Sequence, residues 1–113
     1  MNLDDYSKKA MTTLSDNYSY GTITPQMMGQ VLGLSDESGE VLGKFKKILR
    51  DKNGQLTDED KAEIAKELGD VLWYVSAVTH LLGYSLDDVA QMNIEKLASR
   101  KARGKLQGSG DNR

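Results

Sequence analysis

The chain has 113 residues, no cysteine and a formal net charge of −2, a size that gives one domain able to bury a core yet gaining much from association. Without cysteine it has no disulfide framework, thiolate metal site or thiol nucleophile, which suits a reducing compartment, the cytoplasm by default. No apolar run approaches the roughly 20 residues that cross a bilayer, and the first residues do not read as a charged segment followed by an apolar one, so neither a membrane span nor a leader is expected.

Charge is unevenly distributed. From Lys96 to Arg113 six basic residues stand against Asp111 alone, leaving nine basic and sixteen acidic residues before them. A nucleic-acid binder usually carries a basic face over the whole domain, so this local excess fits a small polyanion or a partner's acidic face, or else a solvated tail.

In chain order, Tyr6, Met11 and Leu14 among good helix formers predict a first helix over about Leu3 to Leu14, ended by the polar run Ser15–Gly21. Thr24-Pro25 is a helix start, with threonine as cap and proline in the first turn, where its missing N–H costs nothing. A second helix runs from there to about Arg50, with Met27, Val31, Leu34, Val41, Phe45 and Ile48 in one stripe flanked by Glu37, Glu40 and Lys44. Its glycines, Gly29, Gly33, Gly39 and Gly43, each weaken an exposed helix by about 1 kcal/mol relative to alanine, and close packing against the backbone would account for them.

Asp51-Lys52-Asn53-Gly54 is a turn, and Thr57 caps a third helix over about Asp58 to Leu82 whose first turn is acidic. Its stripe is Ile64, Leu68, Val71, Val75, Val78 and Leu82, with Glu67, Asp70 and Tyr74 on one shoulder. Gly83 ends it, and Ser85 caps a fourth helix carrying Val89, Met92, Asn93, Lys96, Leu97 and Arg100. The Gly-rich polar stretch 103–113 is expected to be poorly ordered unless something docks it. The reading is therefore one helical domain, 1–102, followed by a tail, 103–113. With no period-two alternation and short connections, the class is all-α, a four-helix bundle with the two long helices antiparallel.

The chemistry lies in spacing. Residues three apart on a helix share a face about 5 to 6 Å apart, so Glu37 with Glu40 and Glu67 with Asp70 can each close on one ion. Four crowded carboxylates repel and take up protons unless a cation joins them, and all-oxygen ligation selects Mg²⁺ or Mn²⁺. The alternative is surface acids paired locally, Glu40 with Lys44 and Lys66 with Asp70. A di-iron bundle needs Glu-x-x-His pairs, and the single histidine, His80, has Ala77 three residues before it. His80 reads as a surface or helix-end residue, and no Ser-His or thiol mechanism has support.

At these residues the sequence resembles the MazG-like family of all-α nucleoside triphosphate pyrophosphohydrolases, related to the dimeric dUTPases. The family motif, E-E-x-x-E followed by E-x-x-D, reads here Asp36-Glu37-Ser38-Gly39-Glu40 and Glu67-Leu68-Gly69-Asp70, with Asp36 where glutamate is common. Gly33-Leu34, Lys44, Val71-Leu72-Trp73-Tyr74, Asn93 to Arg100 and Gly108 to Arg113 add to the likeness. The resemblance implies that Glu37, Glu40, Glu67 and Asp70 are the catalytic residues and hold Mg²⁺. It also implies that Lys44, Tyr74, Asn93, Lys96 and Arg100 contact a (deoxy)nucleoside triphosphate, which water splits to monophosphate and pyrophosphate by attack at the α-phosphorus. Dimers or tetramers are implied as well. A helical oligomer that binds nucleotide or a protein partner without turnover is the other reading. Trp73 and Tyr74 could stack on a base or belong to a core or subunit interface.

Overall fold

The computed structural model describes residues Met1–Arg113 as helices and connecting turns, with no strand: α1 (Leu3–Ala10), a 3₁₀ turn (Met11–Thr13), α2 (Pro25–Asp51), α3 (Asp58–Leu81) and α4 (Leu86–Ala102). The all-α class and the caps are as the sequence indicates. Thr24 accepts from the Met27 N–H with Pro25 behind it, and Thr57 with Asp60 and Ser85 with Asp88 form complete capping boxes. Each satisfies backbone donors that the first helical turn leaves unpaired.

The first helix stops four residues short of the expected Leu14. Thr12 and Thr13 donate their hydroxyls to the carbonyls of Lys9 and Ala10 at 2.7 and 2.9 Å, local bonds that compete with regular helix. At the other end of α3, Gly83 sits at φ 85°, where its N–H reaches the His80 carbonyl while the Tyr84 N–H reaches that of Thr79. This is a Schellman ending, and it turns the chain into α4.

Helices α2 and α3 form an antiparallel hairpin, α4 touches only α3, and α1 packs against none of the other helices. The four helices expected from the sequence are present, and within one chain their contacts are the α2–α3 hairpin with α4 added along α3. Only Ile48 and Ile64 are buried apolar side chains, and both lie near the α2–α3 turn, where Lys52 grips Asp60 at 2.8 Å. Val31, Phe45, Leu68 and Leu82, which the helical periodicity places in the core stripes, stay exposed.

The shape carries the same message. The radius of gyration is 19.9 Å, against about 13 Å for a compact chain of this length. The accessible surface is 9347 Å², roughly 3,000 Å² more than a globular monomer of this mass presents. Leu42, Phe45 and Leu49, at helical spacing on α2, and Leu68 and Leu72 on α3 are exposed apolar side chains of the hairpin.

The tail is docked by α4, the condition under which the sequence leaves room for order there. Arg100, the one buried charged side chain, donates through Nη2 to the carbonyls of Asp111 at 2.5 Å and Gly110 at 3.4 Å. Arg113 folds back onto the carbonyls of Lys105, Leu106 and Gly110, and Arg103 Nη1 donates to the Arg113 backbone oxygen at 2.8 Å. Three guanidiniums thus satisfy backbone acceptors that the short Gly-rich segment cannot satisfy by itself.

Candidate metal centre

Midway along the hairpin, Glu37 of α2 faces Glu67 and Asp70 of α3. One carboxylate oxygen from each lies within 4.8 Å of the others. The three-residue spacing puts Glu67 and Asp70 on one side of α3, and antiparallel packing brings Glu37 opposite them. Glu40, one turn further along α2 and exposed, stands outside this group.

The local field is that of crowded anions. The Glu37 carboxyl is held above its ordinary range, first by partial burial, then by the charges of Asp70 and Glu67 and a hydrogen bond shared with Glu67. Such a site favours a proton or a cation. Three hard oxygen donors without nitrogen or sulfur match Mg²⁺ or Mn²⁺ in donor chemistry, and Mg²⁺ characteristically keeps water or phosphate on its remaining positions. Lys44 stands beside the cluster, its Nζ 3.7 Å from Glu67 Oε1, so one acid already has a partial counter-charge.

A shallow groove of about 380 Å³ opens over the acids, lined by Glu37, Asp70, Trp73 and Tyr74. Tyr74 is placed there by Gly33. The phenol ring lies on the α2 backbone where a Cβ at residue 33 would be, whereas Gly29, Gly39, Gly43 and Gly69 have open space around them. Of the helical glycines, only Gly33 therefore answers to close packing. Its partner could not be named from sequence, since the contact depends on the register between two helices.

The remaining expected ligand contacts lie elsewhere. Asn93 and Lys96 line a second groove, about 430 Å³, with Val89 and Met92 on α4. The two grooves share no lining residue. Lys96 Nζ is 3.5 Å from an Asp111 carboxylate oxygen, and the Arg100 guanidinium is turned to the tail carbonyls. His80 is exposed in the last turn of α3, as its isolation in the sequence suggests. The docking of the tail went unread in the sequence, although arginines 100, 103 and 113 interleaved with glycines 104, 108 and 110 were its available signal.

Comparison with known proteins adds lineage to this geometry. The model of the MazG nucleotide pyrophosphohydrolase domain matches residues 26–104, which takes in α2, α3 and α4. The chain is 52% identical over 82 residues to the Gene 37 protein of Mycobacterium phage L5, covering 73% of this chain and 72% of that one. No solved structure matches significantly.

Proposed function

The chain belongs to the MazG nucleotide pyrophosphohydrolase family, and from that premise we propose that it is a Mg²⁺-dependent hydrolase converting nucleoside or deoxynucleoside triphosphates to monophosphate and pyrophosphate. The observation that carries the proposal is the convergence of Glu37, Glu67 and Asp70 from two helices within 4.8 Å, beside a groove open to a ligand. Surface acids paired only along their own helices would not meet across the hairpin.

In this reading Glu37, Glu67 and Asp70 hold the cation, with Mn²⁺ a workable substitute, and Glu40 stands just outside them on the next turn of α2. When bound, the cation supplies charge neutralisation for phosphate oxygens and a more acidic water. Lys44 adds positive charge at the acid cluster. Asn93 and Lys96 approach the phosphate chain or sugar from α4, and Tyr74 borders the nucleotide in the first groove. Arg100 acts from behind, holding the tail against α4. Water adds to the α-phosphorus as the bond to the bridging oxygen of the β-phosphate breaks. Pyrophosphate leaves, and the water proton passes to a carboxylate oxygen, for which Glu40, outside the cluster of three, is the available acceptor.

A homodimer or homotetramer is part of the same proposal. The roughly 3,000 Å² of surface beyond that of a compact monomer is of the size that permanent subunit interfaces cover. The exposed apolar side chains of the hairpin would be covered by a second copy, and association is the means by which the α4 groove and the acid groove can enclose one ligand. The domain is taken as 1–102 with 103–113 as its tail. No helix is long and apolar enough to cross a membrane, and triphosphate substrates with Mg²⁺ fit a cytoplasmic setting without nucleic acid as partner.

The test is product analysis. Purified protein incubated with each common triphosphate and Mg²⁺ should yield monophosphate and pyrophosphate in equal amounts. Diphosphate with orthophosphate would place the cleavage elsewhere, and no product from any triphosphate would leave a helical oligomer that binds without turnover.

A further inference from the structure

We propose that Trp73 is the surface on which the substrate base stacks, so that affinity for a nucleotide, as distinct from its phosphates, is carried by this one indole. The proposal rests on the pyrophosphohydrolase reading of the acid cluster and assigns that site its base-binding half.

Trp73 is the only tryptophan in the chain and is 60% exposed, although it stands in the middle of α3 beside the hairpin seam. It follows Asp70 by three residues and so shares its side of the helix, about one turn further on. Trp73 and Asp70 also line the same groove with Glu37 and Tyr74. A triphosphate held at the carboxylates would project its sugar and base along this groove, and the first large apolar surface beyond the acids is the indole.

The indole is also oriented. Tyr74 meets it edge to face, with ring centroids 5.0 Å apart and planes at 83°, a preferred aromatic geometry. Tyr74 is itself fixed because its ring fills the space over Gly33. The sequence Gly33 to Tyr74 to Trp73 thus runs from backbone to exposed ring with little freedom, and an aromatic surface held in place binds a base at low entropic cost. Since every base has a π-face, stacking alone is tolerant of base identity. The site then takes nucleoside triphosphates broadly and discriminates against phosphate chains that lack a base.

The experiment uses the whole protein with Mg²⁺ and reads the single tryptophan. Fluorescence is titrated with an α,β-methylene nucleoside triphosphate, which cannot be cleaved at the reacting bond, and separately with inorganic tripolyphosphate. In parallel, KM for nucleoside triphosphates is measured in the wild type, Trp73→Ala and Trp73→Phe. The expected result is saturable quenching by the nucleotide analogue and little by tripolyphosphate. Trp73→Ala should raise KM at least about fivefold, as loss of a stacked base does, and Trp73→Phe should recover most of it. Equal quenching by both ligands would overturn the proposal, as would a wild-type KM in Trp73→Ala. So would dissociation of the assembly in Trp73→Ala seen by sedimentation, which would make the indole a subunit contact. Absence of pyrophosphate release by the wild type would instead strike the hydrolase reading, while the fluorescence titrations still report on stacking.

Discussion

The Tyr74 ring lies against the Gly33 backbone in the volume a β-carbon would need, and this contact sets how the two long helices meet above the acid cluster. Gly33→Ala must move the phenol or part the helices. Overpacking of this kind costs about 1–3 kcal/mol. Thermal unfolding should show Gly33→Ala destabilised by that order and the double variant Gly33→Ala/Tyr74→Ala less destabilised than the sum of its singles, since contacting residues do not act additively. Strict additivity would mean that the contact is absent in solution.

At the turn between α2 and α3, Asp60 accepts from Lys52 and from the Thr57 N–H, and these bonds hold its carboxyl down to about 2. A carboxylate lowered on folding contributes stability that is present above the ordinary range and lost as pH falls toward the folded value. Acid titration of unfolding should therefore show a loss between about pH 4 and pH 2 that Asp60→Asn lacks. Thr57→Ala, removing the reciprocal cap, should cost about 1 kcal/mol at neutral pH.

Carboxylates that crowd a cation site repel when it is empty. Glu37→Gln removes one charge from that group, so the metal-free variant should melt higher than the metal-free wild type. Added Mg²⁺ should raise the melting temperature of the wild type by mass action and that of the variant much less. Equal Mg²⁺ responses in differential scanning calorimetry would mean that Glu37 holds no ion.

Arg100 organises the last ten residues through two carbonyls, whereas the Asp111 carboxylate facing it is exposed. Limited trypsin digestion should cut Arg100→Ala after Arg103 and Lys105 much faster than the wild type. Asp111→Ala should resemble the wild type, because exposed ion pairs contribute little. Equal protection in Arg100→Ala would mean the tail is held by other contacts.

The proposed association would cover apolar surface that the open hairpin, with two buried apolar side chains, leaves exposed. Sedimentation velocity at micromolar concentration should give a multiple of the 12.5 kDa chain, and Leu42→Glu, on the exposed α2 stripe, should shift it toward smaller species with lower thermal stability. A stable monomer of normal melting temperature would contradict the proposed association.

Local chemistry was the legible part of the sequence. Caps such as Thr24, Thr57 and Ser85 act within four residues, so their signals survive without knowledge of packing, and the acid spacing in Glu67-Leu68-Gly69-Asp70 follows from helix geometry alone. Relations between elements were less readable. Periodicity marks Leu68 and Val75 alike as apolar-face residues, yet Val75 is half-buried and Leu68 remains exposed, because the period cannot say whether a stripe meets its own chain or another copy. Arg100 could be read as a phosphate contact, and its capture by Gly110 and Asp111 depends on a backbone turn that residue types alone do not specify.

The central claim is that Glu37, Glu67 and Asp70 form one cation site serving pyrophosphate release. The most direct measurement is Mg²⁺-dependent pyrophosphate release from a nucleoside triphosphate by the wild type, Glu67→Gln and Asp70→Asn, with helicity followed by circular dichroism. Release by the wild type, at least about a hundredfold slower in both variants at unchanged helix content, is the predicted result. Wild-type rates in either variant, or release by the wild type without a divalent cation, would contradict it.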